Sequence, residues 1–488
     1  MTSLPGDLRS RAARGAALTL VVQVLRIGIQ LGALVVLARL IEPSVFGVMA
    51  IVLVVIGVGE TLRELGLASA SIYAEVITRQ QQSNLFWINV AIGVLLAALC
   101  VGGATALETL YGTDGLAAAL AVTSSVFVLN GLASQHRARL ARSLRFSVLA
   151  VSELVSVVAG LAAAMIAASA GATLGALVIQ QITQAALLLV LSLGASRWLP
   201  GLPRRCDMAD LFRYGGWLSV TQLINYGARN LDTLVLGKVV STTTLGYYNR
   251  AFQLVMLPVT QINAPALKVA FPILARMQDD PARFGRYLRA GHTALVHSVV
   301  PLLLAAVAVC DPFIELVLGR EWAPTANLFM ILALSGVFQA ASYSYYWTFL
   351  ATGRTSSNFR FTLLTKSILV VAILVGTRWG AEGVASGVAL SSAVGWLIGI
   401  VWLSRMADVA PSTWWVPTVT ALSVYVPATA VSYGAGRWAF PDDDILRLVV
   451  VAVVFAAVCA VSSRINRPFG RDVALLRTVA TSIRKVDA

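Results

Sequence analysis

Charged residues are scarce in this 488-residue chain. Asp, Glu, Lys and Arg make up 12% of it, whereas a typical soluble protein has about 25%. Hydrophobic residues make up 58%. This composition argues against a soluble multidomain enzyme and predicts an integral membrane protein.

Cysteine and histidine are also rare, with four and three copies. No CxxC motif occurs, and no histidine lies at metal-ligand spacing from an acid. The sequence therefore predicts neither a disulfide framework nor a metal site, and we expect no cofactor. The formal net charge of +14 would indicate nucleic-acid binding in a soluble protein. In a membrane protein, cations retained in cytoplasmic loops explain it, so we expect no nucleic-acid partner.

Apolar windows of spanning length predict an all-α membrane protein with about fourteen transmembrane helices. The predicted spans are 17–38, 45–62, 84–105, 115–133, 147–169, 173–195, 215–237, 246–269, 293–310, 325–350, 358–376, 382–403, 413–435 and 446–463.

The distribution of cations predicts the orientation of these spans. With a cytoplasmic N-terminus, 26 of the 37 cations fall in inner segments and six in outer loops. Inner loops hold the excess of Lys and Arg, so both termini are predicted to be cytoplasmic. No predicted outer loop exceeds about 15 residues, which leaves no room for the extracytoplasmic catalytic segment expected of a glycan polymerase.

The chain contains an internal repeat. An offset of 199 residues aligns the first span with the seventh without gaps, and it pairs Gln23 with Gln222 and Gly47 with Gly246. We predict an N-lobe of six spans over 1–200, a C-lobe of six over 201–405, and two further spans with a basic cytoplasmic tail over 406–488. Residues 200–205, which are rich in Pro and Gly, are predicted to be a hinge. Parallel halves of this kind are a transporter architecture.

Polar side chains recur on one face of the first and seventh spans. A charge at mid-bilayer costs about 2.5–3.5 kcal/mol on insertion scales, so these side chains are predicted to line a hydrophilic cavity between the lobes. Arg250 on the eighth span adds a cation. The predicted substrate-binding residues are Gln23, Arg26, Gln30, Gln222, Asn225, Arg229 and Arg250.

Acidic residues of comparable depth are fewer, and Asp232 and Glu153 are the candidate sites for coupling transport to protons or sodium ions. Asp232 lies three residues after Arg229, and the alternative interpretation is that the two side chains neutralise one another. Glu60 and Glu64 lie beside Arg63, which favours a solvated helix end over a coupling site. The cluster of Tyr343, Tyr345 and Tyr346 fits an interfacial aromatic belt and a sugar-stacking platform equally well.

Several segments in order resemble a known family, the Wzx-type polysaccharide exporters of the MOP flippase superfamily, in the branch of the colanic-acid and teichuronic-acid exporters. The likeness covers about residues 10–400. The segments that carry it are 64–67, 144–146, 232–237, 245–251, 271–276, 318–322 and 351–354.

The resemblance implies a flippase in the bacterial inner membrane. Its substrate would be an undecaprenyl-pyrophosphate-linked oligosaccharide, moved by alternating access for assembly of exopolysaccharide, lipopolysaccharide or capsule. Membrane lipids and the glycan polymerase and export machinery are the other expected partners. The family's cation-lined cavity carries over to Arg26, Arg229 and Arg250. The alternatives are a MATE-like cation-coupled drug exporter, which would need an acid where the first span has Arg26, and a membrane glycan polymerase.

Overall fold

The computed structural model describes residues 28–30, 32–64, 71, 77–439 and 443–486. Over these residues the chain forms α-helices and two single-turn 3-10 segments, and no strand. It divides into two compact units, one ending at Gly246 and one beginning at Tyr247. This division differs in position from the predicted junction at residue 200, and the repeat relationship of the predicted lobes remains a prediction.

Seven labelled helices lie in the first unit, after helical residues 28–30 and 32–40. They are α1 (Pro43–Glu64), α2 (Arg79–Tyr111), α3 (Leu116–Thr123), α4 (Ser125–Arg142), α5 (Phe146–Ser169), α6 (Leu174–Ser196) and α7 (Ala209–Val239).

The second unit contains all of α8 except its first turn. It also contains every helix that follows α8. The helices are α8 (Thr242–Ala275), α9 (Pro281–Ala308), α10 (Cys310–Val317), α11 (Thr325–Ala351), α12 (Thr355–Gly376), α13 (Gly380–Ala407), α14 (Ser412–Ala439), α15 (Asp444–Ile465) and α16 (Arg467–Val486).

Ten segments of the described chain are long and apolar enough to cross a membrane, and one of them, Thr355–Ala407, contains both α12 and α13. Two helices that overlap predicted spans, α7 and α14, are not among the ten. On α2, Leu95 and Leu99 are 58% and 61% exposed, as expected of side chains that face acyl chains rather than water. The prediction of an all-α multi-pass membrane protein is confirmed, while the count of fourteen spans is not.

Local sequence sets the ends of several helices. α2 begins with a capping box, in which the Thr78 hydroxyl accepts from the Gln81 N–H at 3.1 Å and the Gln81 side chain accepts from the Thr78 N–H at 2.9 Å. It ends at Gly112, whose φ of +63° is a conformation that glycine adopts at little cost. The side chains of Asp280 and Asp443 cap the N-termini of α9 and α15, where each accepts from the backbone N–H three residues further on.

The segment predicted to be a hinge is not a free linker. Residues 197–207 are non-helical, but the start of α2 binds their backbone. Trp87 Nε1 donates to the Gly201 carbonyl at 2.9 Å, and Asn84 Nδ2 donates to the Arg204 carbonyl at 2.6 Å while its Oδ1 accepts from the Arg204 N–H at 3.1 Å. These bonds fix the segment to the start of α2 within the first unit.

Two glycines paired by the internal repeat allow a close helix crossing. A Cβ atom at Gly47 of α1 would overlap the carbonyl oxygen of Thr242, and one at Gly246 would overlap the carbonyl oxygen of Pro43. Thr242 and Pro43 are themselves 199 residues apart, so the two contacts are equivalent under the repeat. Small residues permit such backbone approach between membrane helices.

The core of the second unit joins α9, α11 and α14 through buried polar groups. His292 is fully buried, and its two ring nitrogens lie 3.1 Å from Thr418 Oγ1 and 3.0 Å from Ser344 Oγ. His297 lies 3.1 Å from the Tyr425 hydroxyl and 3.3 Å from Asp472 Oδ2 on α16. The helix that contains part of the predicted basic tail is thereby attached to the second unit.

Candidate functional site

The predicted stripe of the first span lies largely outside the described residues. Gln23 and Arg26 belong to that part of the chain. Gln30 is helical and half-buried. The proposed roles of these three residues therefore remain predictions.

The stripe of the seventh span lies on α7, which packs against α1 in the first unit. The Tyr226 hydroxyl donates to the Leu53 carbonyl at 3.4 Å across this contact. Along the stripe, Gln222 and Arg229 are exposed, Asn225 is half-buried and Asp232 is 4% exposed. Asp232 Oδ1 accepts from the Thr233 N–H at 2.8 Å.

Arg250 is half-buried on α8 in the second unit. Its Nη1 donates to Gln253 Oε1 at 2.6 Å. The amide oxygen is uncharged, so this contact is a hydrogen bond and not an ion pair. The cavity predicted between the lobes remains a prediction.

The first unit contains a polar cavity of about 430 Å³, which we name the α4–α6 cavity. It lies among α4, α5 and α6 and has both polar and apolar side chains in its lining. Its lining residues are Val126, Asn130, Arg137, Glu153, Ser156, Val157, Gln181, Gln184, Ala185 and Leu188.

An ion pair crosses this cavity. Arg137 Nη2 on α4 lies 2.9 Å from Glu153 Oε1 on α5, and the two side chains are 42% and 33% exposed. Glu153, a predicted coupling residue, is thus held beside a guanidinium. The contact balances both charges, so the pair adds no net charge to the cavity.

Three amides complete the polar lining. No hydrogen bond to another described residue involves the side-chain amides of Asn130, Gln181 or Gln184. The buried Nε of Arg137 likewise meets no acceptor in the described part of the chain. Polar groups within membrane-spanning helices are costly without partners, so these groups are suited to water or a bound polar molecule.

Close packing of α5 on α6 forms one side of the cavity. A Cβ atom at Gly160 would lie 2.8 Å from the carbonyl oxygen of Gln180, so only glycine fits this approach without displacement. The helices lie close together at Gly160, while Glu153 and Gln184 lie on the lining of the cavity.

Sequence reasoning missed most of this cavity. Arg137 was assigned to a cytoplasmic loop because the fourth span was predicted to end at residue 133, whereas α4 continues to Arg142. Gln181 and Gln184 are three residues apart within a predicted span, and that spacing places them on neighbouring positions of one helical face. This spacing is the sequence signal for that part of the lining.

A second charged cluster corrects the interpretation of Glu60 as part of a solvated helix end, whereas Glu64 is exposed, as that interpretation expects. Arg63 is 6% exposed. Its Nη2 lies 2.9 Å from Glu60 Oε2, and its Nη1 donates to Asn89 Oδ1 on α2 at 3.2 Å. The guanidinium therefore joins α1 to α2 inside the first unit.

Tyr345 is 1% exposed and donates to the Trp396 carbonyl at 2.8 Å, so it is neither part of an interfacial belt nor a stacking platform.

Known proteins resemble this chain over most of its length. Residues 36–327 match the family described as "Polysaccharide biosynthesis protein". The lipopolysaccharide biosynthesis protein WzxC of Escherichia coli (strain K12) is 27% identical over 448 residues, which cover 88% of each chain.

Two solved structures share the fold. The lipid II flippase MurJ in an inward closed conformation has a TM-score of 0.73 and 15% identity, covering 92% of this chain and 99% of that chain. An inward-facing multidrug resistance MATE transporter of the MOP superfamily has a TM-score of 0.63 and 11% identity, covering 80% of this chain and 98% of that chain. At these identities the likeness shows the fold alone.

The family match covers more than half of the chain, and it confirms the resemblance read from the ordered segments of the sequence. The chain is a multi-pass membrane protein of the MOP fold, and it belongs to the polysaccharide biosynthesis protein family.

Proposed function

We propose that this protein is a flippase for undecaprenyl-pyrophosphate-linked oligosaccharides. It moves the lipid-linked repeat unit from the cytoplasmic to the outer leaflet of the bacterial inner membrane, for assembly of exopolysaccharide, lipopolysaccharide or capsule. The observation that carries this proposal is membership of the polysaccharide biosynthesis family in a chain with the MOP fold. WzxC is named for lipopolysaccharide biosynthesis, and MurJ is named as a flippase.

The physical task is to move a charged, hydrated headgroup across hydrocarbon. An uncompensated charge costs tens of kcal/mol in such a medium by Born estimates. Fixed guanidinium groups reduce this cost, because their planar fork pairs with phosphate oxygens and stays charged. Arg26, Arg229 and Arg250 are the proposed cations. The isoprenoid tail remains in the bilayer while two six-helix lobes alternate in access.

The proposed orientation follows from charge. Both termini are cytoplasmic, because the predicted inner segments hold 26 of the 37 cations. The glycan polymerase and export machinery on the outer side are the proposed partners, since they would consume the translocated unit. Asp232 and Glu153 remain the proposed coupling residues.

A MATE-like drug exporter is the second candidate, favoured by the fold shared with the MATE transporter. The MurJ fold is shared as well, so the fold does not separate the two functions. The sequence favours the flippase, because a cation-binding first span would need an acid where Arg26 stands. Drug accumulation in cells with and without the protein distinguishes the candidates: a flippase leaves it unchanged.

Deletion and complementation in the native host test the flippase function. We expect the deletion strain to accumulate lipid-linked oligosaccharide in the inner leaflet, where external glycan-modifying reagents do not reach it. Arg229→Ala and Arg26→Ala should fail to restore surface glycan although the protein reaches the membrane. Arg378→Ala, at an exposed arginine in a predicted outer loop, is the matched control and should restore it. Full glycan display by Arg26→Ala and Arg229→Ala would remove the case for a cationic path.

A further inference from the structure

We propose that the α4–α6 cavity is a sugar subsite, which binds a neutral, hydroxyl-rich residue of the glycan rather than its diphosphate. This inference rests on the proposed function and names the part of the substrate that this cavity recognises. It assigns the first unit a role in selecting the glycan, separate from the proposed role of the arginines in carrying the phosphates.

The charge of the cavity excludes strongly charged ligands. Arg137 and Glu153 pair at 2.9 Å, and they are the only ionisable side chains among the described residues that line the cavity. A diphosphate would lie beside the carboxylate of Glu153, and a bare cation beside the guanidinium of Arg137. Among the described residues, no group of three or more His, Cys, Asp or Glu side chains is placed to hold a metal ion. A neutral ligand avoids both repulsions.

The hydrogen-bonding groups match a polyol. Each of the amides of Asn130, Gln181 and Gln184 offers two donor hydrogens and an acceptor oxygen, and none of these groups is used by another described residue. Sugar hydroxyls are both donors and acceptors, so they satisfy such amides in either sense. The buried Nε of Arg137 supplies a further donor that has no acceptor within the described chain.

The shape of the cavity also suits a sugar. Its volume of about 430 Å³ lies within the range of about 300–1,000 Å³ that is usual for small-molecule sites. Val157, Ala185 and Leu188 form apolar lining beside the amides. A sugar ring presents C–H faces as well as hydroxyls, so it contacts both kinds of surface.

Two of the lining residues lie well inside apolar helices rather than at their ends. Glu153 is seven residues from the start of α5, and Gln184 is ten residues from the start of α6. At a rise of 1.5 Å per residue these positions lie about 10 and 15 Å from the helix ends. The hydrocarbon core is about 30 Å thick, so polar groups at this depth serve a ligand or water that enters the membrane.

Binding by the purified full-length chain tests the proposal. Two probes are used: the lipid-linked oligosaccharide that the deletion strain accumulates, extracted from that strain, and undecaprenyl pyrophosphate, which carries no sugar. The variant Gln181→Leu/Gln184→Leu keeps side-chain size and removes two amides. We expect it to bind the oligosaccharide lipid about tenfold or more weakly, the effect of losing two hydrogen bonds, and to bind undecaprenyl pyrophosphate as the wild type does.

The matched control is Gln180→Leu, the same substitution on the same helix at a half-buried residue that does not line the cavity. It should bind both probes as the wild type does. Elution volume and thermal midpoint of each variant establish that it is folded. A second variant, Glu153→Gln, leaves Arg137 without its carboxylate. It should bind undecaprenyl pyrophosphate more tightly than the wild type does, because the cavity then holds an unbalanced guanidinium.

The other outcomes are decisive in different ways. Equal binding of the oligosaccharide lipid by the folded double variant and the wild type would overturn the sugar subsite and leave the flippase function intact. Equal loss of both probes by a folded double variant would overturn it as well, because the cavity would then serve the lipid or diphosphate. If the deletion strain accumulates no lipid-linked oligosaccharide, the proposed function fails and the subsite fails with it.

Discussion

Two groups of three helices, one in each unit, have the same order and different interiors. In the first unit, α4 is followed by the hairpin α5–α6, and these helices enclose the polar α4–α6 cavity. In the second unit, α11 is followed by the hairpin α12–α13, and here aromatic rings occupy the interior. The comparison shows that one arrangement of helices supports both a polar site and an aromatic cluster, and that side chains decide which one forms.

The aromatic interior of the second unit is continuous. Tyr345 of α11 lies edge-on to Phe361 of α12, at 6.2 Å between ring centroids, and Phe361 lies 6.0 Å from Trp402 of α13. Trp402 Nε1 donates to Ser357 Oγ at 2.9 Å. Such rings remove a large apolar area and fix their neighbours. We therefore expect mutations here to change stability, and mutations in the α4–α6 cavity to change substrate binding.

The largest effect is expected from Gly399→Ala on α13. A Cβ atom at this position would overlap the ring of Tyr345, which is buried. Overpacking of this kind costs about 3 kcal/mol, the upper part of its usual range. The thermal midpoint of the purified protein measures it. Gly395→Ala, whose Cβ meets Thr365 at an ordinary 3.5 Å, is the matched control on the same helix. Equal midpoints for the two variants would show that the second interior is loosely packed.

The next effect tests what the two groups share. A Cβ atom would lie 2.8 Å from a backbone oxygen at Gly160 and 2.5 Å from one at Gly387, so both hairpins depend on a glycine at their crossing. We expect Gly160→Ala and Gly387→Ala each to destabilise by about 1–3 kcal/mol, measured in the same melting assay. Gly175→Ala, with its nearest neighbour at 3.7 Å, should be tolerated. A large loss at Gly387 with none at Gly160 would mean that the hairpins are built on different principles.

A smaller effect is expected from Tyr345→Phe. The substitution keeps the ring and removes the hydrogen bond to the Trp396 carbonyl, at a net cost of about 0.5–1.5 kcal/mol. Surface glycan should be restored to the wild-type level, because this tyrosine is structural. Loss of glycan display by a variant with a normal melting midpoint would give Tyr345 a direct part in transport and weaken the contrast between the two interiors.

The smallest effect is the coupling between Arg137 and Glu153. A double-mutant cycle with Arg137→Gln and Glu153→Gln isolates it. Because both side chains are more than 30% exposed to the cavity, water would screen the pair, and a coupling of about 1 kcal/mol or less is expected. A coupling of several kcal/mol would indicate a cavity from which water is excluded.

Much of the fold was predictable because helix length and side-chain polarity are local properties. The thirteen predicted spans from residue 45 onward all overlap helices of the structure, and the pair Gly47 and Gly246, found by sliding the sequence on itself, lies at a close crossing. Helix ends were less predictable. The predicted fourth span ended where polar residues begin, yet α4 continues because Arg137 and its neighbours have partners within the unit.

The sequence by itself determined that this chain crosses a membrane many times as helices, since runs of about 20 apolar residues have no other stable arrangement in lipid. It also carried the ordered segments by which the family was identified. Tertiary structure alone decided that Asn130, Glu153 and Gln184, from three different helices, share one cavity, while Tyr345 and Trp402 belong to one aromatic cluster through Phe361. The physical reason is that periodicity shows which face of a helix is polar, but the neighbour that this face meets depends on where small residues such as Gly160 and Gly399 let helices approach.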